Sequence, residues 1–274
     1  FSFSEAVTGL TSDDVTVANG TLSSLASSDG GLTWTATLTP AANTIAASNL
    51  VQLDNTAYTD LSGNTGSGSS DSSAYAIDTV RPTASLSLSD TALKLGETAQ
   101  LSITFSEAVS GLTNAALSTT NGTLSPLASS DGGITWTATF TPSSDTTAAS
   151  NSISLDMTAA VDAAGNTGAG SAAADSFAID TARPTASISL ADTALRFGET
   201  TEVSIRFSEA VTGLTNADLT FANGSLSPLA SSDGGLTWRA VFTPTVDVTA
   251  ASNLISLDTS GVTDLSGNPG QGAS

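Results

Sequence analysis

The chain repeats itself every 102 residues, and this constrains its fold more than any other feature. Phe3-Ser4-Glu5-Ala6-Val7 returns at Phe105–Val109 and at Phe207–Val211; 105 − 3 and 207 − 105 both give 102. Thr33-Trp34 returns at Thr135-Trp136 and Thr237-Trp238, and Ile77-Asp78-Thr79-Val80-Arg81-Pro82-Thr83 at Ile179–Thr185, with the same offset and no insertion. A period near 100 residues is too long for a solenoid and fits one small domain per copy. Pro82 and Pro184, with fixed φ and a restricted preceding residue, mark short, stiff junctions. The expected domains are 1–79, 80–181 and 182–274. The first copy is expected to start inside its second strand and the third to stop before its last, as in a window of a longer array.

Within the middle copy, apolar residues alternate with Ser and Thr, the period of a strand with one buried face. Ala84, Leu86 and Leu88 predict one strand, and Leu101, Ile103 and Phe105 a second. Ile134, Trp136, Ala138 and Phe140 predict another, followed by Ile153 with Leu155 and by Phe177 with Ile179. Leu117 and Leu124 suggest two weaker ones. Turn residues separate the runs, and no stretch has helical spacing. The expected class is therefore all-β: tandem immunoglobulin-like β-sandwiches of about seven strands each, in an elongated array.

Composition removes whole classes of function. Six Lys and Arg against 26 Asp and Glu give a net charge of −20, which is wrong for holding nucleic acid through its phosphates or for an anionic membrane surface. At 39% hydrophobic and 12% charged residues, the chain is too apolar to stay disordered. Without Cys or His there are no disulfides, no thiol nucleophile, no zinc site built on those residues, and no usual general base near neutrality. No run of about 18 apolar residues and no signal peptide is present, so any targeting signal is expected elsewhere in a longer parent chain.

Ser27-Ser28-Asp29-Gly30-Gly31-Leu32-Thr33-Trp34, repeated at Ser129–Trp136 and Ser231–Trp238, resembles the Asp-box known from sialidase propellers. The Asp and glycines of that motif shape a hairpin turn over the Trp, so an architectural role is expected. A sialidase would also need an arginine cluster and a tyrosine nucleophile, and the middle copy has no tyrosine.

Carboxylates form the second constellation. In a seven-strand sandwich the loops after the second and sixth strands share one end with the entering linker. There the middle copy carries Glu107, Asp162 and Asp78, and the third Glu209, Asp264 and Asp180. Three converging carboxylates repel unless a cation sits among them, and hard oxygen ligands suit Ca²⁺. The plainer alternative is that Asp162 and Asn166 cap a turn, Glu107 is solvated and Asp78 ends a strand. A glycosidase acid–base pair is disfavoured, because a site repeated at a domain junction has no cleft to exclude water. Asp90 and Asp192 fall at the other end as turn formers, while Glu97, Glu199 and Glu202 are expected on exposed strand positions.

Phe-Ser-Glu-Ala-Val, Asp-x-x-Gly-Asn and Ile-Asp-Thr-x-Arg-Pro-Thr at fixed spacing resemble the bacterial Ig-like repeats of large RTX-type and biofilm surface adhesins. That resemblance covers essentially the whole chain. It implies a non-enzymatic, secreted, monomeric extender on the bacterial cell surface, whose partners are neighbouring repeats and whose junctions hold Ca²⁺. It carries ligation onto Asp78, Glu107 and Asp162 and onto Asp180, Glu209 and Asp264, with Glu5 and Asp60 as a half-site in the first copy. Two other roles stay open: a glycan- or protein-binding module, against which Trp34, Trp136 and Trp238 lie on the inward pattern, and an accessory domain of a secreted enzyme.

Overall fold

The computed structural model describes residues 1–272. It is all-β, a tandem array of immunoglobulin-like units whose only helical segments among the described residues are 3-10 turns of three residues. In the middle repeat Ala84–Leu88, Ala99–Phe105, Thr135–Pro142 and Gly122–Leu124 lie side by side, with Ala128–Ser129 also pairing Thr135–Pro142. Two further three-stranded sheets complete it: Ala92–Lys94, Phe177–Asp180 and Thr147–Asn151, and then Leu117–Thr119, Ile153–Asp156 and Ser171–Ala173.

The Ser/Thr alternation produces this layering directly. Along Ala99–Phe105 every second residue, Ala99, Leu101, Ile103 and Phe105, is buried, while Gln100 and Thr104 are exposed. Their antiparallel partners continue the pattern, Leu101 opposite Ala138 and Ala99 opposite Phe140. Phe140 meets Phe177 edge-on at 5.2 Å, and Ile153, Leu155 and Ile179 close the core around them. Each such side chain contributes about 1.5–3 kcal/mol by leaving water. The third repeat has a matching core on Val203, Ile205, Phe207 and Leu257. That of the first is smaller, with Leu10, Val15 and Leu53 buried.

The middle repeat has eleven strand segments, more than the seven expected, because several lack alternation. Thr147–Asn151 reads Thr-Ala-Ala-Ser-Asn and pairs Phe177–Asp180 across a bulge between Ala148 and Asn151. The buried Asn151 amide holds that bulge by donating to the Ala148 and Phe177 carbonyls, both at 3.0 Å. Ala92–Lys94 runs parallel to Phe177–Asp180. Ile134, expected inward, is 44% exposed. Glu97 and Glu199 lie in turns rather than on strands, where their carboxylates accept from the Lys94 and Arg196 amides.

The Asp-box builds a turn, as its residue types imply. Asp131 accepts from the Thr135 amide at 2.9 Å and from Ser129 Oγ at 2.9 Å, and the Thr135 bond leads in holding its carboxyl down at about 2. Trp136 packs on the core and donates Nε1–H to the Gly133 carbonyl at 3.1 Å.

Candidate metal centre

Each candidate carboxylate is fixed by a separate element at one end of a repeat. Asp162 opens the turn Asp162-Ala163-Ala164-Gly165-Asn166, and Gly165 at φ 92° closes it in a conformation that favours glycine. Asp162 Oδ1 accepts from the Ala164 and Asn166 amides at 2.9 and 2.8 Å, and Oδ2 from Asn166 Nδ2 at 2.8 Å. Burial opposes the charge of Asp162, but the Asn166 bonds and those of the turn amides outweigh it and hold the carboxyl below its usual value. Glu107 follows the strand Ala99–Phe105. The same turn is tied to the entering linker by Ser106 N–H to the Thr83 carbonyl and Thr83 N–H to Ser106 Oγ. Asp78 ends the last strand of the preceding repeat.

The third repeat reproduces this arrangement. Asp264 Oδ1 accepts from the Asn268 amide and Oδ2 from Asn268 Nδ2, each at 2.8 Å, and Ser266 Oγ donates to Asp180 Oδ2 at 2.6 Å. Asp78, Glu107 and Asp162 thus offer oxygens within 4.8 Å of one another, and so do Asp180, Glu209 and Asp264. Both groups straddle a junction, taking one carboxylate from the outgoing repeat and two from the incoming one.

The electrostatics are those of a site short of positive charge. Among the described residues the ion pairs are Lys94–Glu97, at 3.6 Å, and Arg239–Glu202, and neither includes a cluster carboxylate. Desolvation, then the Asp162 and Asp78 charges, push the Glu107 carboxyl up. Glu209 is raised in the same way by desolvation and then by Asp264 and Asp180. The three carboxylates of each cluster are a wholly oxygen donor set, of the kind that hard divalent cations take.

Glu5 and Asp60 are not gathered into such a group among the described residues. Glu5 is exposed, and Asp60 is engaged within its own turn by the Ser62 and Asn64 amides and the Asn64 side chain.

The structure adds residues that sequence reasoning treated as turn formers or passed over. Asn166 Nδ2 also donates to the Asp78 carbonyl at 3.1 Å, and Asn268 Nδ2 to the Asp180 carbonyl at 2.9 Å. Asn268 is fully buried, and its Oδ1 accepts the Leu95 amide at 2.8 Å, so one side chain clasps two segments of the preceding repeat. Arg81 and Arg183 hold the linker down by donating to the Thr167 and Pro269 carbonyls, both at 2.9 Å. The available signal was the recurrence of Asp-x-x-Gly-Asn beside Arg-Pro at every junction.

Comparison with solved structures finds similarity to FdeC, a broadly conserved Escherichia coli adhesin eliciting protection against urinary tract infections. The identity is 14%, over 98% of this chain and 82% of that one, with a TM-score of 0.39. The Yersinia pseudotuberculosis adhesin InvE is 15% identical over 68% of this chain and 56% of that one, with a TM-score of 0.31. No curated protein matches. The family model for the bacterial Ig-like domain matches three times in succession, over residues 1–77, 78–179 and 180–274. A chain filled end to end by copies of that model belongs to the bacterial Ig-like domain family.

Proposed function

We propose that the chain is an extender segment of a bacterial cell-surface adhesin, exported and monomeric, whose junctions are stiffened by Ca²⁺ bound among Asp78, Glu107 and Asp162 and among Asp180, Glu209 and Asp264. The observation that carries the reading is the convergence of three carboxylates within 4.8 Å at both junctions. Each set is contributed by two repeats, and among the described residues none of its carboxylates is in an ion pair. A cation there links the last strand of one repeat to the first loops of the next, so bending the junction means breaking metal–oxygen bonds. Asp78 and Asp180 each end a strand that pairs within the outgoing repeat, Tyr75–Asp78 against Ile45–Asn49 and Phe177–Asp180 against Thr147–Asn151. The role is mechanical and non-enzymatic: it sets terminal binding modules away from the cell during adhesion or biofilm growth, as the RTX-type resemblance implies. No helix among the described residues is long and apolar enough to cross a membrane.

Calorimetric titration with Ca²⁺ should show two sites per chain, one per cluster, lost in the Glu107→Gln, Glu209→Gln double variant. Small-angle scattering should give a monomer whose maximum dimension is better defined with Ca²⁺ than with chelator. Absence of binding heat together with a profile unchanged by chelator would refute the metal-stiffened junction.

A further inference from the structure

Every repeat carries Asn-Gly-Thr or Asn-Gly-Ser at one register: Asn19-Gly20-Thr21, Asn121-Gly122-Thr123 and Asn223-Gly224-Ser225. No other asparagine of the chain has a hydroxyl residue two positions on. The fold explains the first two residues of the triplet. Asn19, Asn121 and Asn223 have φ of 55°, 52° and 56°, a left-handed backbone that asparagine tolerates better than most residues. A Cβ on Gly122 or Gly224 would strike the ring of Phe140 or Phe242, and one on Gly20 the Thr39 carbonyl. It does not explain the third. Thr21, Thr123 and Ser225 are exposed, and among the described residues their hydroxyls have no hydrogen-bond partner, so any polar side chain would serve there.

The asparagine amides are open to chemistry as well. Asn19, Asn121 and Asn223 are exposed, and each gives one N–H to Asn49, Asn151 or Asn253 Oδ1 at 2.8 Å. An amide nitrogen carries two such donors, and among the described residues the second is unused. The junction asparagines differ, since Asn166 and Asn268 each spend Nδ2 on two acceptors. The triplets also stand beside the linkers. Ser143 N–H donates to the Asn121 carbonyl, and the Ser143 carbonyl takes the Thr181 hydroxyl at 2.7 Å. Ala41 connects Asn19 to Thr79 in the same way.

We propose that Asn19, Asn121 and Asn223 are N-glycosylation sites, modified on the folded chain by a glycosyltransferase that uses a nucleoside-diphosphate sugar. In the transfer Nδ2 bonds to the anomeric carbon of the sugar and the bond from that carbon to the diphosphate breaks. Nδ2 gives up its unused proton, and the nucleoside diphosphate leaves. The Thr or Ser hydroxyl is the group the enzyme reads. The N–H held by the second asparagine is untouched, so modification leaves that contact in place. A bulky, solubilising glycan at Asn19 and Asn121 shields the adjoining linkers, and it owes nothing to the junction metal.

The folded whole chain, produced unmodified, is incubated with a soluble asparagine glycosyltransferase and a nucleoside-diphosphate hexose, then read by intact mass and peptide mapping. One hexose is expected at each of Asn19, Asn121 and Asn223. Asn43, also exposed and at φ 53° but followed by Thr44-Ile45, should stay bare. The Thr21→Val, Thr123→Val, Ser225→Ala variant keeps every asparagine pair and should keep its thermal unfolding profile, yet take up no hexose. A triplet left bare on the folded chain, in a mixture that modifies a peptide with the sequence of Thr119–Ser125, overturns the proposal. So does hexose at Asn43, or undiminished transfer to the variant.

Discussion

Replacing Asn268 by Ala tests whether the junction is held by side-chain chemistry or merely by the covalent linker. The side chain makes three hydrogen bonds, to the Asp180 carbonyl, to Asp264 and from the Leu95 amide, in a fully buried position. At about 1 kcal/mol net per bond, the variant should lose about 3 kcal/mol. Asn166→Ala at the other junction removes two bonds, to the Asp78 carbonyl and to Asp162, and should lose about 2 kcal/mol from a half-buried site. Each repeat holds a single tryptophan, Trp34, Trp136 or Trp238, so replacing two by Phe leaves a reporter for one repeat. With Trp238 as reporter, the urea midpoint of Asn268→Ala should fall by about 1–3 M, given m-values of about 1–3 kcal/mol per M. Amide hydrogen exchange at Leu95 should quicken at the same time, because its acceptor is gone. A shift no larger than that of Asn166→Ala seen with Trp136, with Leu95 still protected, would refute the clasp.

Three further outcomes follow from the geometry. Glu107 and Glu209 titrate above the ordinary glutamate value, so between that value and their raised one the folded chain binds more protons than the unfolded chain. In chelator their contribution to stability should therefore decline as pH rises through that window. Asp162 is lowered, and its contribution is lost in the opposite direction, as pH falls. The Glu107→Gln, Glu209→Gln variant should flatten only the first decline in thermal melts taken across pH. A Cβ at Gly133 would strike the Val109 carbonyl, whereas one at Gly132 meets nothing, and both have φ near +80 to +100°; Gly132→Ala should cost about 1 kcal/mol and Gly133→Ala about 3 kcal/mol in chemical unfolding read by Trp136. Phe177→Ala removes the edge-on partner of Phe140 from a 2% exposed position and should cost about 3–5 kcal/mol in the same assay; a loss under about 1 kcal/mol would show that the strand Phe177–Asp180 is not part of the core.

What the sequence disclosed depends on where the physics is local. Alternation along Leu101-Ser102-Ile103-Thr104-Phe105 is a property of one strand, and the buried ladder follows from it alone. Convergence of Glu107 and Asp162 required only knowing which loops share an end of a sandwich. By contrast Thr147–Asn151 carries no alternation, because its bulge is held by the Asn151 amide and its buried neighbours come from Phe177–Asp180. Nothing in Gly96-Glu97-Thr98 reveals that the Glu97 carboxylate turns back to accept from the Lys94 amide.

Asn166 and Asn268 mark the same boundary inside a single side chain. Their backbone amides belong to a turn that Asp-x-x-Gly-Asn announces, but Nδ2 reaches a carbonyl 88 residues earlier in the chain. No local pattern encodes such a bond; only the 102-residue period, by setting Asp78 beside Asn166 and Asp180 beside Asn268, does so. The repeat therefore specifies more than three copies of a fold. It also specifies the angle at which one copy meets the next, since an amide that needs an acceptor in the preceding repeat is satisfied in one docking geometry and buried without a partner in others. A cation among the adjoining carboxylates would act on a junction already oriented by these asparagines, so its removal should widen the distribution of angles while leaving their mean in place.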